Sequence, residues 1–504
     1  MKRKTWQGKK KMRNYLLFYV NGVRHQIFGE RGFQALSEFL RLDLGLVGTK
    51  VVCAEGDCGS CTVLIGRVRN SELRYEGIDS CIQYLYQLDC AHVITVEGLK
   101  GGAEKIHPVQ KAMVDAFGSQ CGYCTPGFVM ALAAMLETQE NLTRDSLQDG
   151  LTGNLCRCTG YEQIIDAGLS LNQKGIPKPS KRFEEEAMLA DFTEHVAQAV
   201  SCEFEEKWNG SVQKIQFYVP TTLNEALEFK QKNQHVTIVA GGTDISVQLN
   251  KERLEPNCIM SLTHLTGLEI LEIENKTVIV GAGVTWTKLG EYCQQHLPQL
   301  AEIISIFASR QIKNAATLAG NIANASPIAD SLPFLYVIDA EIELSRSRQD
   351  GTLGKRWVRI NQFYHGYKKT EMKAEELITR IRWNLPEAED VLKLYKVSKR
   401  KDLDISTFTA GIWLKLAKGK IQNARLAFGG VGPVVLRLPE TEEFLRGKPL
   451  VSAIFQEAGK LAREEISPIS DVRSSADYRF QLAENIMLKF FHECCDLQNK
   501  KEAA

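Results

Sequence analysis

The chain has 504 residues, 44% of them hydrophobic and 24% charged, with a net charge of +1. Its length calls for three or four cores rather than one, and so even a charge balance excludes nucleic acid as an obligate partner attracted by bulk charge. No run approaches the roughly 20 apolar residues that a membrane span needs.

The first stretch, "MKRKTWQGKKKMRN", is a basic run read as a disordered arm. The apolar "YLLFYV" behind it is too short for a signal-peptide core and stops at Asn21-Gly22, so a cytoplasmic location is expected. Residues 15 to 28 place two strand-like runs around that Asn-Gly pair, a strong hairpin signal. "FQALSEFLRLDLGL" follows with helical spacing, then a cysteine loop, and this small mixed domain closes near "VITVEGL".

From His107 the texture is helical. "HPVQKAMVDAFG" and "TPGFVMALAAMLE" each open with proline in the first turn, and "TRDSLQDGL" and "YEQIIDAGLSL" complete a four-helix domain. Residues 173–211 lack a sustained period and read as a linker with room for one short helix. Beyond them, "HVTIVAGGTDISVQL", "TVIVGAGVTWTKLGEY" and "NAATLAGNIANASP" alternate strand, glycine turn and helix, and a last region of strands followed by helices begins near residue 391.

Fourteen cysteines in a chain without an export signal point to metal or redox chemistry rather than disulfides. Cys90, Cys202, Cys258, Cys293, Cys494 and Cys495 have no ligand-like spacing and read as core or incidental thiols. The other eight form two sets. Cys53, Cys58 and Cys61 stand at C-x4-C-x2-C with Cys81 20 residues later, the spacing of a plant-type 2Fe-2S site. Gly56, Gly59 and Ser60 would let backbone amides approach the sulfides, and a tetrahedral zinc finger suits this spacing poorly. The second set pairs Cys121 with Cys124 and Cys156 with Cys158, each pair just before a helix start, where free amides and the helix dipole stabilise thiolates. Alone, its C-x2-C half is also compatible with zinc or a redox dithiol.

The two sets, in this order, resemble the iron-sulfur half of the molybdenum hydroxylases, the xanthine dehydrogenase and aldehyde oxidase family. The resemblance implies two 2Fe-2S clusters, one held by Cys53, Cys58, Cys61 and Cys81, the other by Cys121, Cys124, Cys156 and Cys158. Gln120 matches a glutamine that lies against the pterin of the molybdenum cofactor in the family.

The glycine turn in "TIVAGGTDISVQL" could cradle a pyrophosphate, although a plain strand-to-helix turn explains two glycines as well. It is not a Rossmann G-x-G-x-x-G. "FASRQIKNAATLAGNIANASPIADSLP" is likewise open to a tightly packed core turn. Both loops resemble the FAD site of the family's vanillyl-alcohol-oxidase-like (PCMH-type) domain. That resemblance implies contacts to FAD from Ile238, Val239, Ala240, Gly241, Gly242, Thr243, Asp244 and Ile245, from Phe307, from Thr317, Leu318, Ala319, Gly320 and Asn321, and from Asp330, Ile378 and Lys396. Leu403, between Asp402 and Asp404, stands where mammalian members carry an acidic residue, and Ser305-Ile306 replace their Arg-Trp pair, so a dehydrogenase-to-oxidase switch is not expected.

The implied fold is multidomain α+β: a ferredoxin-like β-grasp domain (13–98), a four-helix 2Fe-2S domain (99–172), the linker (173–211), an FAD-binding domain (212–388) and a flavoprotein C-terminal domain (389–498). The resemblance stops short of a molybdopterin-binding region. It therefore implies the small subunit of a heterotetramer whose large subunit carries the molybdenum cofactor, passing electrons through both clusters and FAD to NAD during purine oxidation, with no catalytic acid-base pair in this chain. Three alternatives remain open: a relative acting on aldehydes or other N-heterocycles, a stand-alone NAD(P)H reductase, and a colourless zinc-stabilised scaffold.

Overall fold

The computed structural model describes residues 12–100, 106–139, 141–171, 176, 178–208, 211–387 and 389–502. Most of the basic arm lies outside the described residues. The chain forms two compact units, Met1–Thr266 with Ser309–Ala316, and Gly267–Ala308 with Thr317–Ala504. The division falls inside the stretch expected to be one FAD-binding domain.

The first unit begins with the expected hairpin. Tyr15–Val20 pairs antiparallel with Val23–Phe28, and Asn21 (φ 50°) and Gly22 (φ 81°) supply the two left-handed positions that a tight two-residue turn needs. Tyr15–Val20 also pairs in parallel with Ala91–Ile94, which continues antiparallel to Thr62–Arg69 and on to Glu72–Asp79, giving a five-stranded sheet. Successive side chains of a strand face opposite ways, and both faces of this sheet are covered. Val63 and Ile65 enter a core with Leu16, Phe18, Phe39 and Phe217, whereas Leu64 and Ile94 pack with Phe128 and Val129 of the helical domain.

That domain holds four helices, Pro108–Asp115, Thr125–Thr138, Arg144–Gly150 and Glu162–Ser170. Pro108 and Pro126 open the first two without losing a helical hydrogen bond. The stretch read as a linker carries the short helix it left room for, Glu185–His195, and also a strand that was not expected, Val200–Trp208. The strand pairs with Ser211–Val219 in a second sheet, with Cys258–Ser261 and Thr237–Val239 beyond. Its alternating Val200, Cys202 and Phe204 were the available sequence signal. A buried ion pair ties the start of the described chain to this unit: Arg13 donates to both oxygens of Asp89 at 2.9 and 2.6 Å. The Leu17 amide also donates to Asp89, at 2.8 Å.

The second unit contains a five-stranded sheet ordered Leu271–Glu274, Thr277–Gly281, Leu377–Asn384, Glu341–Ser347, Leu353–Arg359. Helices Trp286–His296, Pro298–Ile306, Leu318–Asn324 and Leu332–Val337 belong to it. An antiparallel sheet of Asp390–Val397, Phe408–Ala417, Lys420–Gly429 and Leu436–Arg437 follows. Helices Ser452–Glu464 and Ala476–Glu502 share a core with it that includes Phe408, Phe428, Phe455 and Phe490. Among the described residues no helix is long and apolar enough to cross a membrane.

Candidate cofactor sites

All fourteen cysteines are free thiols. The first set sits on a loop that three left-handed residues, Ala54, Gly56 and Gly59, curl into a tight turn, with Cys81 arriving from a short helical turn after the strand Glu72–Asp79. The amides of Glu55 and Asp57 both donate to Cys53 Sγ at 3.4 Å. Hydrogen bonds from the Cys58 and then the Cys81 thiol, with those amides, pull the Cys53 sulfur far below an ordinary thiol. The Cys81 thiol likewise holds Cys61 low. Cys58 and Cys81 are pushed up in turn, because they carry the protons their neighbours share. Four sulfurs competing for protons, three of them buried and Cys53 half-buried, are a donor set that a bound metal centre would satisfy by replacing the protons. The residues therefore fit such a centre.

The second set is open. Cys124 is the N-cap of the helix Thr125–Thr138, and Cys121 and Cys158 are exposed with their sulfurs 3.6 Å apart. Burial, then the Cys156 thiol, raises Cys124 to about 12. Burial also opposes ionisation of Cys156, but hydrogen bonds from Thr159 outweigh it and hold that sulfur below its usual range, Thr159 Oγ1 lying 3.2 Å away. Tyr161, left-handed at φ 72°, accepts from the Cys156 amide at 3.0 Å and starts the next helix. The sulfurs of this set thus meet in two pairs, Cys121 with Cys158 and Cys124 with Cys156. Gln120 beside it is exposed, and so are Phe117 (82%), Val114 (67%), Tyr123 and Leu155.

The two sets meet through backbone. The Leu155 amide donates to the Cys58 carbonyl at 3.0 Å, and a side chain on Gly127 would come within 2.2 Å of the Gly59 carbonyl, so the helix that begins at Cys124 rests on the first cysteine loop. Spacing could not show one buried acid: Asp79, 3.7 Å from Cys61 Sγ, has one oxygen without a partner, and burial, then the Cys61 charge, pushes its carboxyl well above the usual range.

The residues expected to contact FAD fall in both units. In the first, the strand Thr237–Val239 leads through Gly241 and Gly242 (φ 78°) into the helix Ile245–Asn250. A Cβ on Gly241 would lie 1.9 Å from the Ala315 carbonyl oxygen, and the Ser246 hydroxyl is buried without a hydrogen-bond partner. A backbone that only glycine permits, with an unsatisfied hydroxyl on the helix behind it, fits a polar ligand held by main chain.

In the second unit Thr317 caps the helix Leu318–Asn324 by accepting from the Gly320 amide at 3.0 Å. Asn321 accepts from Ser331 at 2.6 Å. Next to Ser331, Asp330 meets Lys396 at 2.7 Å and accepts from Ser406 at 2.5 Å, while Lys396 also donates to the Asp404 carbonyl at 2.8 Å. The structure thus joins Asp330 to Lys396 and adds Ser331 and Ser406, which no sequence signal marked. Leu403, left-handed at φ 61°, lies in the loop that this lysine clamps. Phe307 packs edge-on against Trp286 at 4.9 Å, and Ile378 stands apart, buried in the five-stranded sheet opposite Leu344.

Three family models match the chain: a 2Fe-2S binding domain over residues 95–169, an FAD binding domain in molybdopterin dehydrogenase over 213–387, and a CO dehydrogenase flavoprotein C-terminal domain over 393–494. Xanthine dehydrogenase of Blastobotrys adeninivorans is 30% identical over 95% of this chain and 40% of its own length. Xanthine dehydrogenase 1 of Arabidopsis thaliana is 29% identical over 94% and 39%. The chain thus spans about two-fifths of the length of these curated relatives. Among solved structures, reconstituted CO dehydrogenase from Oligotropha carboxidovorans is 25% identical with a TM-score of 0.50, covering 54% of this chain and 94% of that one. Quinoline 2-oxidoreductase from Pseudomonas putida 86 shares the fold, with 24% identity and a TM-score of 0.50 over 55% and 94%.

Proposed function

We propose, from the premise that the chain belongs to the molybdenum hydroxylases as their iron-sulfur and FAD-bearing part, that it is the electron-transfer subunit of a xanthine dehydrogenase. It would work in a cytoplasmic heterotetramer with a molybdopterin-binding large subunit and serve the oxidation of hypoxanthine and xanthine, with NAD as acceptor. The observation that carries this reading is the clustering of the cysteines into two sets with sulfur-to-sulfur contacts in each, read together with relatives named xanthine dehydrogenase that align along almost the whole chain.

Cys53, Cys58, Cys61 and Cys81 would hold one 2Fe-2S cluster, Cys121, Cys124, Cys156 and Cys158 the other, and the loops at Ile238–Ile245 and Thr317–Asn321 with Asp330 and Lys396 would hold FAD. When bound, the clusters supply single-electron transfer, and the flavin converts single electrons into a hydride. The chain's residues bind and tune. The Glu55 and Asp57 amides stabilise charge at Cys53, Thr159 does so at Cys156, and burial of Cys61 and Cys81 excludes water from that centre. Exposed Cys121 and Cys158 put the second set where a partner protein can reach it.

The test is to purify the chain anaerobically and titrate it with NADH while recording visible absorbance and low-temperature EPR. Flavin bleaching with two distinct 2Fe-2S signals is expected. A colourless, zinc-loaded protein, obtained under conditions that protect clusters, overturns the reading.

A further inference from the structure

Between the two cysteine sets lies a buried amide relay whose keystone comes from a distant part of the chain. Gln311, 3% exposed, belongs to the Ser309–Ala316 segment of the first unit. Its Nε2 donates to Asn154 Oδ1 at 2.8 Å and to Thr62 Oγ1 at 3.2 Å. Asn154, itself 2% exposed, turns its own Nδ2 to the Gly59 carbonyl at 2.9 Å. Thr62 Oγ1 donates to that same carbonyl at 2.6 Å. Gly59 lies next to Cys58, and Asn154 lies two residues before Cys156. One side-chain amide therefore backs up the orientation of a second, and the second spans the two cysteine loops.

An asparagine amide can turn over and exchange its donor for its acceptor. Turned over, Asn154 would present oxygen to the Gly59 oxygen and its amide to the Gln311 donor, so the Gly59 carbonyl and Gln311 together hold it one way. Gly153 leaves room for that glutamine, since a Cβ there would lie 2.2 Å from Gln311 Oε1 and 2.5 Å from Ser309 Cβ.

We propose that Gln311 is a positioning residue which, by orienting Asn154, fixes the separation of the two metal-binding cysteine sets at a single value. The proposal rests on the reading of those cysteines as cluster ligands. It assigns Gln311 no contact with substrate or cofactor.

The test uses the full chain, purified anaerobically with its iron and fully reduced, and reads the magnetic splitting between the two 2Fe-2S signals by low-temperature EPR alongside iron content. Gln311→Met keeps the side chain's bulk and removes its donor. The expected result is unchanged iron and two intact signals, with the resolved splitting lost to a broad distribution as the Asn154 loop takes several positions. Gly153→Ala, which drives Gln311 out of place, is expected to do the same. Where Gln311→Met does not retain iron, Asn154→Asp serves, because it keeps the acceptor for Gln311 and removes the donor to Gly59. Wild-type splitting in a variant that holds both centres overturns the proposal, as do two wild-type signals without mutual splitting. A wild-type chain with fewer than two signals overturns the underlying reading of the cysteines instead.

Discussion

The two cysteine sets each offer four thiols, in contrasting surroundings. Cys61 and Cys81 are each 2% exposed and Cys58 is 9% exposed, inside a loop wrapped by the β-grasp sheet, whereas Cys121 and Cys158 lie open at the surface of a helical bundle. Burial disfavours added charge and exposure tolerates it, so on the proposed reading identical ligands would acquire different affinities for an electron. The comparison teaches that position, not ligand chemistry, distinguishes the two sets: were both to hold clusters, the buried one would suit an internal relay and the exposed one contact with a partner.

The strongest way to break this comparison is to remove one set alone. Cys81→Ala should abolish one of two EPR signals and about half the bound iron while the other signal survives; loss of both by metal analysis would mean that the sets fold as one. Next in size is the scaffold of the open set. Phe128 is fully buried between the helices and the sheet, so Phe128→Ala should destabilise by about 3–5 kcal/mol in urea unfolding, and the Cys121-Cys158 signal should fade at lower urea than in the parent chain.

A smaller effect concerns the sheet behind the buried set. His92 accepts from the Gly22 amide at 3.1 Å through Nε2, and Nδ1 faces Tyr75 Oη at 2.7 Å, so the neutral ring with its proton on Nδ1 satisfies both contacts and a second proton has no acceptor. Burial lowers its pKa to about 3. The unfolded chain, titrating near its ordinary value of about 6.5, then binds more protons between the two values. Stability from His92 is complete above pH ~6.5 and declines as pH falls toward the folded value. Going from pH 7.5 to 5.5 should remove about 1 kcal/mol in urea unfolding, and His92→Gln should flatten that dependence.

The smallest change is at the rim of the open set. Phe117 is left-handed at φ 55° and 82% exposed, a conformation glycine adopts without strain. Phe117→Gly should leave thermal stability within about 0.5–1 kcal/mol of the parent, or raise it. If the open set meets the proposed large subunit, pull-down of that subunit should weaken, and unchanged capture would show that Phe117 takes no part in the contact.

Local signals in the sequence carried the local structure. Asn21-Gly22 marked a hairpin because only a few residues accept two left-handed positions, and Pro108 and Pro126 marked helix starts because proline is harmless there. Grouping the thiols also needed only spacing. The strand Val200–Trp208 was obscured by the acidic stretch before it, although its partner strand is its neighbour in sequence. Asp79, Asn154 and Gln311 were not legible, since each matters through contacts with residues far away along the chain: Gln311 reaches Asn154 across 157 positions and Thr62 across 249. Asp330 and Lys396 were reached by resemblance, whereas Ser406, which completes their hydrogen bonds, and Ser331, which donates to Asn321, needed coordinates.

The bidentate pairing of Arg13 with Asp89 sets a sharp edge for anyone trimming the chain. Cutting away residues through Asn14 would leave the Asp89 carboxylate enclosed without its counter-ion, a loss of about 3–5 kcal/mol by the usual penalty for an orphaned buried charge. A shortened protein would then come out poorly folded although every cysteine and every flavin contact had been kept. For purification, this argues for a tag at the far end of the chain and a start no later than residue 12.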